Sequence, residues 1–190
     1  MPRMSSIALP ERHRFDVDDY HRLAEAGVLS PEARVELIEG DIVDTAPIGW
    51  RHINAFNRLT KLLVVGAGDR AVVSVQNSVR LSRFSEPQPD LALLDPSYLQ
   101  QRRHPEPADA LLVIEVAESS LAFDRSIKAD LYARSGVREC WVVDVARETI
   151  EILRAPRDGR FTERLTLAGG DMASPLALPE LAVAVANVFD

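Results

Sequence analysis

The stretch PDLALLDPSYLQQRRHPEPADALLVIEVAESS, residues 89–120, holds two apolar runs that each carry a carboxylate. Asp90 follows a proline at the start of the run DLALL, and Glu115 lies inside the run ALLVIEVA. Because side chains alternate across a strand, Glu115 points to the same face as Val113 and Ala117. A buried carboxylate is costly unless it is paired, hydrogen-bonded or bound to a metal. Glu115 therefore requires a partner.

Asp90 is a candidate to share a site with Glu115, because two adjacent strands would bring their carboxylates to one place. Two carboxylates, completed by waters and a substrate phosphate, are the usual ligands of protein-bound Mg²⁺. The pair is thus compatible with a phosphodiester-cleaving site. The same residues are also compatible with a structural arrangement, in which Asp90 caps a turn and Glu115 pairs with an arginine.

The amino-acid composition limits the class of protein to which the chain can belong. The chain has 190 residues, of which 46% are hydrophobic and 27% charged, which is typical of a globular protein with one sizeable core. No stretch approaches the roughly 20 apolar residues of a membrane span, and the N-terminus lacks a secretory signal, so we expect no membrane partner and a cytoplasmic location. The single cysteine, Cys140, excludes an internal disulfide. A net charge of −7 argues against a surface that attracts nucleic acid everywhere, but permits a local basic groove.

The order of predicted elements indicates a mixed central sheet flanked by helices, an α/β or α+β sandwich. We expect a flexible N-terminal arm over residues 1–14 and a single domain over residues 15–190. A helix capped by Asp16 or Asp18 and a hairpin turning at residues 39–41 come first. The further predictions are a helix at 50–68 with Ile53, Phe56, Leu59, Leu62 and Leu63 on its buried stripe, strands at 71–76, 78–82, 90–94 and 110–117, a helix at 124–136, and strands at 139–145 and 149–155.

Several stretches together resemble one known family. RVELIEGDIV, GWRH, PQPDLALL and LLVIEVAESSLAFDRSIKADLYARSGVRECWVVD look like the Uma2 family of endonucleases, members of the PD-(D/E)xK nuclease superfamily, from about residue 16 to residue 155. The resemblance implies a restriction-endonuclease-like fold with an N-terminal helix and hairpin. It also implies a nuclease that hydrolyses phosphodiester bonds in DNA with Mg²⁺ or Mn²⁺.

The same resemblance assigns the catalytic residues. It implies that Asp90 and Glu115 hold the metal. The lysine of the superfamily pattern would stand at position 117, where this chain has Ala117. Uma2-like sequences take that lysine from the following helix, which implies Lys128. Helical spacing independently places Lys128 on one stripe with Asp124 and Tyr132, although a solvated lysine paired with Asp124 has the same spacing.

The family pattern also implies a third catalytic acid, Glu36, which by its position alone could instead pair with Arg34 or cap the hairpin. His52 stands near the start of the second helix, where it would contact phosphate, bind a water or cap the helix. Gln76, Ser120 and Tyr132 fit family positions as accessory residues that orient substrate or water.

The resemblance also indicates the partners. The implied partner is nucleic acid, most simply DNA, and nuclease families of this kind allow a homodimer. Arg102, Arg103 and His104 form a basic cluster in the long loop, which either contacts a nucleic-acid backbone or is simply solvated. With four histidines scattered along the chain, at 13, 21, 52 and 104, we expect no histidine-rich zinc or iron centre.

Two alternatives to an active nuclease remain. One is a catalytically silent protein of the same fold that binds nucleic acid or a protein. The other is a self-associating structural module in which the acids form ordinary ion pairs. Metal binding separates the nuclease from the structural module, and turnover separates it from the silent protein.

Overall fold

The structure is a computed structural model that describes residues 12–30 and 32–190. The arm predicted for residues 1–14 lies largely outside these ranges. A six-stranded mixed sheet forms the centre of the described chain, with strands in the order β3-β4-β5-β6-β7-β8. Only β5 and β6 are parallel neighbours, and every other adjacent pair is antiparallel. The predicted mixed sheet flanked by helices is confirmed.

The elements follow one another in chain order. The sequence of helices and strands is α1 (Val17–Glu25), β1 (Val35–Ile38), β2 (Asp41–Asp44), α2 (Trp50–Ala67), β3 (Val72–Val75), β4 (Leu91–Leu94), β5 (Ala110–Ala117), α3 (Leu121–Phe123), α4 (Ala129–Arg134), β6 (Glu139–Asp144), β7 (Thr149–Arg157), β8 (Arg160–Ala168), β9 (Met172–Ala173), β10 (Val183–Ala184) and α5 (Ala186–Phe189). Within residues 12–30 and 32–190, no helix is both long enough and apolar enough to cross a bilayer.

The N-terminal helix and the hairpin form as the sequence predicts. Asp16 caps α1 reciprocally with Asp19: Asp16 Oδ1 accepts from the Asp19 N–H at 2.8 Å, and Asp19 Oδ2 accepts from the Asp16 N–H at 3.3 Å. Strands β1 and β2 meet at a two-residue turn. Glu39 and Gly40 have φ values of 51° and 88°, the left-handed backbone that a tight hairpin turn of this length requires.

Helix α2 is slightly rotated relative to the prediction: Leu59 and Leu63 are buried as predicted, and Phe56 and Leu62 are partly buried against the core. The predicted stripe included Ile53, whose exposed fraction is 46%. The face that packs on the sheet instead begins with His52 and Ala55 and continues through Leu59 and Leu63. The small side chain of Ala55 permits a close approach to the sheet, and the rotation turns the imidazole of His52 inward. Hydrophobic spacing alone predicted Ile53 on the buried face, but in the tertiary structure His52 lies there.

The strand predicted at residues 78–82 is absent from the sheet. This segment forms a loop that bonds to the chain just after it, with the Val79 N–H donating to the Pro87 carbonyl at 2.9 Å and the Leu81 N–H to the Ser85 carbonyl at 3.0 Å. Val79 and Leu81 are nevertheless buried. The alternation of apolar residues in this segment therefore reflects the burial of Val79 and Leu81 in a loop, not a strand.

The helix predicted at 124–136 begins earlier, at Leu121. Helix α3, a π-helical turn over Asp124–Lys128 and helix α4 follow without a break, and we call this segment the crossover helix. It connects the parallel strands β5 and β6. The Ala129 N–H donates to the Asp124 carbonyl, five residues earlier, which defines the π turn. Such turns are rare and occur frequently at functional sites.

The two faces of the sheet carry separate cores. Leu112, Ile114 and Val116 of β5 pack with α2 and the C-terminal segment, whereas Val113 and Ala117 pack with the crossover helix. The alternation predicted for β5 is thus confirmed, and both faces of the strand are buried. Glu115 lies on the face covered by the crossover helix.

Glu139, at the start of β6, anchors the C-terminal segment to the sheet. Its carboxylate is fully buried, and its Oε1 accepts from Trp141 Nε1 at 2.8 Å and from Arg154 Nε and Nη2 at 2.9 and 2.7 Å. Its Oε2 accepts from the Leu176 N–H at 2.5 Å. This one side chain therefore joins β6, β7 and the segment that follows β9.

Replacing Glu139 with alanine should lower the free energy of unfolding by about 3–5 kcal/mol, since the partly buried Arg154 guanidinium would lose its anionic partner and the buried Trp141 Nε1–H its acceptor. The matched control is Glu180→Ala, because Glu180 also pairs with an arginine but is 52% exposed. That change should cost less than about 1 kcal/mol. Urea unfolding of both variants measures the difference. Equal losses would contradict the anchoring role of Glu139.

Candidate active site

Seven of the eight site residues predicted from the sequence line one cavity of about 220 Å³. The cavity lies where the β1-β2 hairpin, the N-terminus of α2, the end of β5 and the crossover helix meet. The seven are Glu36, His52, Gln76, Asp90, Glu115, Ser120 and Lys128. Tyr132, the eighth, is fully buried behind the cavity wall.

Asp90 and Glu115 are brought together by the pairing of β4 with β5. Leu91 lies opposite Ile114 in this antiparallel pair, so the preceding residue, Asp90, comes opposite Glu115. Two contacts hold the Asp90 carboxylate. Its Oδ2 accepts from the Val116 N–H at 2.8 Å and lies 3.2 Å from His52 Nε2. Asp90 is therefore fixed by the backbone of β5 and by helix α2, rather than capping a turn.

Lys128 lies between two glutamates. Its Nζ donates to Glu36 Oε1 at 3.0 Å and to both oxygens of Glu115, at 3.2 and 3.3 Å. The lysine side chain is only 7% exposed. Lys128 is therefore not solvated, and Glu36 and Glu115 pair with this lysine rather than with arginines. The glutamates come from β1 and β5 and the lysine from the crossover helix, so a single ammonium group connects three elements.

The rest of the lysine stripe supports this contact from both sides. The Tyr132 hydroxyl donates to Glu115 Oε1 at 2.6 Å, and the Ser120 hydroxyl donates to Asp124 Oδ2 at 2.5 Å. Asp124, Lys128 and Tyr132 are all buried on the same side of the crossover helix, as the spacing predicts. Tyr132 thus positions Glu115 and does not itself face the cavity.

Burial sets the protonation of this cluster. It raises the pKa of the Glu115 carboxyl well above its usual range, and the neighbouring acids add to the shift while Lys128 opposes it. Burial also raises the pKa of Glu36 and of Asp124. For Lys128, burial by itself would lower the pKa, but the surrounding carboxylates outweigh it and raise the pKa above its usual value. Lys128 is therefore a charged ammonium with an excess of acidic groups around it.

Sequence reasoning missed several residues of the cavity wall. Asp124 was placed on the stripe of Lys128 and Tyr132 but was not counted among the site residues, although it lines the cavity. Arg34, Gln88 and Glu118 also line the cavity. The Glu118 carboxylate lies directly against Gly49, where any Cβ would overlap its Oε2. The available signal was the position of Glu118, which directly follows β5, the strand that ends at the candidate site.

The cavity fits a divalent cation in its donor chemistry. Mg²⁺ takes oxygen ligands and is usually held by one or two carboxylates with waters and substrate phosphate, a set that Asp90 and Glu115 supply. Two buried polar atoms in the wall, His52 Nδ1 and Glu118 Oε2, also have no hydrogen-bond partner within the described chain. Such atoms are expected to contact water or a ligand.

Comparison with known proteins agrees with this fold. The model of the Uma2 family, described as "Putative restriction endonuclease", matches residues 17–186. A search of curated proteins gives no match. Among solved structures, the chain is similar to a nuclease, described as putative and as belonging to DUF820, from Anabaena variabilis ATCC 29413. The TM-score is 0.73 at 17% identity, over 92% of this chain and 97% of the other. At that identity the likeness shows the fold alone.

Replacing Lys128 with methionine should lower the free energy of unfolding by about 3–5 kcal/mol at neutral pH, since buried carboxylates lose their cation. Folding already raises the pKa of Glu36, Glu115 and Asp124, and the substitution raises it further. Acids whose folded pKa is raised contribute most to stability at low pH and lose that contribution as pH rises through the folded pKa, so the free energy of unfolding of the variant should fall as pH rises above the ordinary carboxyl range.

Urea unfolding in metal-free buffer at several pH values measures this loss. The control is Lys61→Met, which replaces the only other lysine of the chain, an exposed one in α2. A Lys128→Met variant as stable as the control at every pH would contradict the buried charge cluster.

Proposed function

Since the chain belongs to the Uma2 family, we propose that it is a divalent-metal-dependent endonuclease that hydrolyses phosphodiester bonds in DNA. The observation that carries the proposal is the meeting of Asp90, Glu115 and Lys128 at one cavity, with Glu36 beside them. A cytoplasmic location and a homodimer stay predictions, as does the extent of the domain over residues 15–190.

Asp90 and Glu115 would hold Mg²⁺ or Mn²⁺, which when bound polarises a phosphate oxygen and lowers the pKa of a bound water. The residues of the chain supply the rest. His52 and the Val116 N–H hold the Asp90 carboxylate in place, and the Tyr132 hydroxyl holds Glu115. Fixed ligands of this kind require no rearrangement when the substrate arrives.

Lys128 would act on the negative charge that develops during cleavage. Its raised pKa favours a group that remains an ammonium, which can stabilise charge on the phosphate oxygens, over one that removes a proton from water. Glu36 accepts a hydrogen bond from Nζ and so orients the ammonium. The charge-stabilising role is therefore our assignment for Lys128, and the positioning role is our assignment for Glu36.

A groove next to the cavity supports a polymeric substrate. A second cavity, of about 710 Å³, shares Gln76 and Gln88 with the first and is also lined by Arg102 and Arg103. Gln76 has a φ of 48°, an uncommon backbone conformation for a residue other than glycine. A strand of nucleic acid could follow this path, with its phosphates on the arginines and the scissile bond at the acids.

The start of α2, which borders the first cavity, also carries an exposed aromatic side chain. Trp50, at the start of α2, is 68% exposed, and the Arg51 guanidinium lies 5.5 Å from the centroid of its ring. An aromatic ring beside a cation is a common surface for stacking a base or contacting a backbone. Trp50 lies two residues before His52, so such a contact would be close to the site.

A catalytically silent nucleic-acid-binding protein is the second candidate. It is favoured by the net charge of −7 and by alanine at position 117, where the superfamily has its lysine. Both proteins would bind metal and nucleic acid through the same residues. Only turnover distinguishes them.

Replacing Lys128 with alanine should leave Mn²⁺ binding largely intact and lower plasmid cleavage by about 10²-fold or more, since the lysine acts mainly on the transition state. Asp90→Asn should instead weaken Mn²⁺ binding as well. Mn²⁺ binding by calorimetry and plasmid cleavage are measured on the same samples. The temperature is one at which unfolding experiments show that both variants are folded. Full activity in Lys128→Ala would refute the assigned role, and wild-type protein that binds Mn²⁺ and DNA without cleavage would establish the silent alternative.

Adding Ala117→Lys to the Lys128→Ala variant tests whether both positions reach one pocket. The strand would return an ammonium beside Glu115, and part of the activity should return. Rescue is expected to be incomplete, because a misplacement of about 1 Å can cost roughly 10² in rate. Absence of any rescue in a folded double variant would count against the shared pocket.

Duplex binding in Ca²⁺, which should support binding without cleavage, should weaken with added salt as phosphate contacts release counterions. Replacing Arg102 and Arg103 together should reduce the slope of log K against log salt by about 0.9 for each phosphate that the protein no longer neutralises. Arg157→Ala, an exposed arginine on β7, is the control. An unchanged slope in the double variant would remove the long loop from the interface.

A further inference from the structure

A group of metal-binding side chains lies outside the proposed active site. It consists of His21 in α1, Glu86 in the segment before β4, and His104 in the loop between β4 and β5. One ligand atom from each residue lies within 4.8 Å of the other two. None of the three lines the cavity that holds Asp90 and Glu115. The expectation that the scattered histidines form no metal centre was based on sequence distance, and folding brings two of the four together.

The geometry of the three side chains is close to that of a metal site. His21 Nε2 lies 2.9 Å from Glu86 Oε1. The His21 and His104 rings have centroids 5.4 Å apart and planes inclined at 48°. Around a tetrahedral zinc ion with ligands at about 2.0–2.1 Å, ligand atoms are roughly 3.4 Å apart. Small side-chain rotations would therefore bring all three ligands to one ion.

An unsatisfied buried oxygen points independently to a ligand. Glu86 is 2% exposed, and its Oε2 has no hydrogen-bond partner within the described residues. A buried carboxylate oxygen without a partner is costly, and native structures usually supply that partner from a neighbour, a water or an ion. A cation held between Glu86 and the two imidazoles would satisfy it.

The donor set identifies the kind of metal. Two imidazole nitrogens and one carboxylate oxygen suit zinc and related first-row ions, whereas Mg²⁺ and Ca²⁺ take oxygen ligands. The His104 side chain is exposed and that of His21 is 38% exposed, so an ion can enter from solvent and keep a water as its fourth ligand. We propose that His21, Glu86 and His104 form a Zn²⁺ site that is separate from the catalytic one.

A bound ion would connect three parts of the chain. It would join α1 to the long loop and to the segment that leads from Glu86 to Asp90. His104 also lines the second cavity beside Arg102 and Arg103, so zinc would hold that wall of the groove in place. This effect on the groove rests on the proposed function, whereas zinc binding itself does not.

Titration of metal-free protein with Zn²⁺ and Co²⁺ tests the site. The experiment uses the Asp90→Asn background, which removes one of the two carboxylates proposed for the catalytic metal. We expect one ion to bind in calorimetry, and Co²⁺ to give the intense visible absorption of a four-coordinate ion. At about 100 times Kd, zinc should raise the Tm by roughly 5–10 °C.

Variants assign the binding to the three residues. His21→Ala, Glu86→Gln and His104→Ala should each weaken Zn²⁺ binding by at least about tenfold, since even residues that only orient a ligand contribute about 10–100-fold. His13→Ala, which replaces an exposed histidine elsewhere, should change nothing. His104 is exposed, so its removal tests the site even if Glu86→Gln fails to fold. Unchanged Zn²⁺ affinity and Co²⁺ spectrum in His104→Ala would overturn the proposal, and would leave the catalytic proposal as it stands.

Discussion

The buried ammonium of Lys128 is the constraint on which the site depends. A lysine with 7% of its side chain exposed must have anionic partners, and here they come from β1 and β5. The contact therefore couples the position of the hairpin, the end of a central strand and the crossover helix. Each of these elements also carries apolar side chains into the core that covers one face of the sheet. Charge and packing thus specify the same arrangement.

The excess of acids around this lysine explains why the site is suited to a cation. Glu36 and Glu115 share one ammonium with Asp124 close by, and burial raises the pKa of all three carboxyls. An arrangement with surplus negative charge is costly to the fold and favourable to a divalent ion. Hydrogen bonds from Tyr132 and Ser120 hold the carboxylates in position regardless of that ion. Such locally unfavourable arrangements of charge are typical of functional sites.

The two proposed metal sites of the molecule differ in their ligand atoms. The cavity offers carboxylate oxygens at the end of the β4-β5 pair, which suits Mg²⁺ or Mn²⁺. The cluster of His21, Glu86 and His104 offers two nitrogens and one oxygen, which suits zinc. The first set lies on the sheet and would serve chemistry. The second set joins α1 to the loop between β4 and β5 and would stabilise the wall of the groove.

Local patterns in the sequence determined the alternation of β5, the cap of α1 and the hairpin turn, since each depends on residues a few positions apart. The inward side chain of Glu115 followed from the alternation alone. Tertiary packing decided what local spacing could not. It turned His52 inward in place of Ile53, and it moved the helix start to Leu121. It also brought His21 to His104, because contacts between residues distant in the chain depend on how whole elements pack against one another.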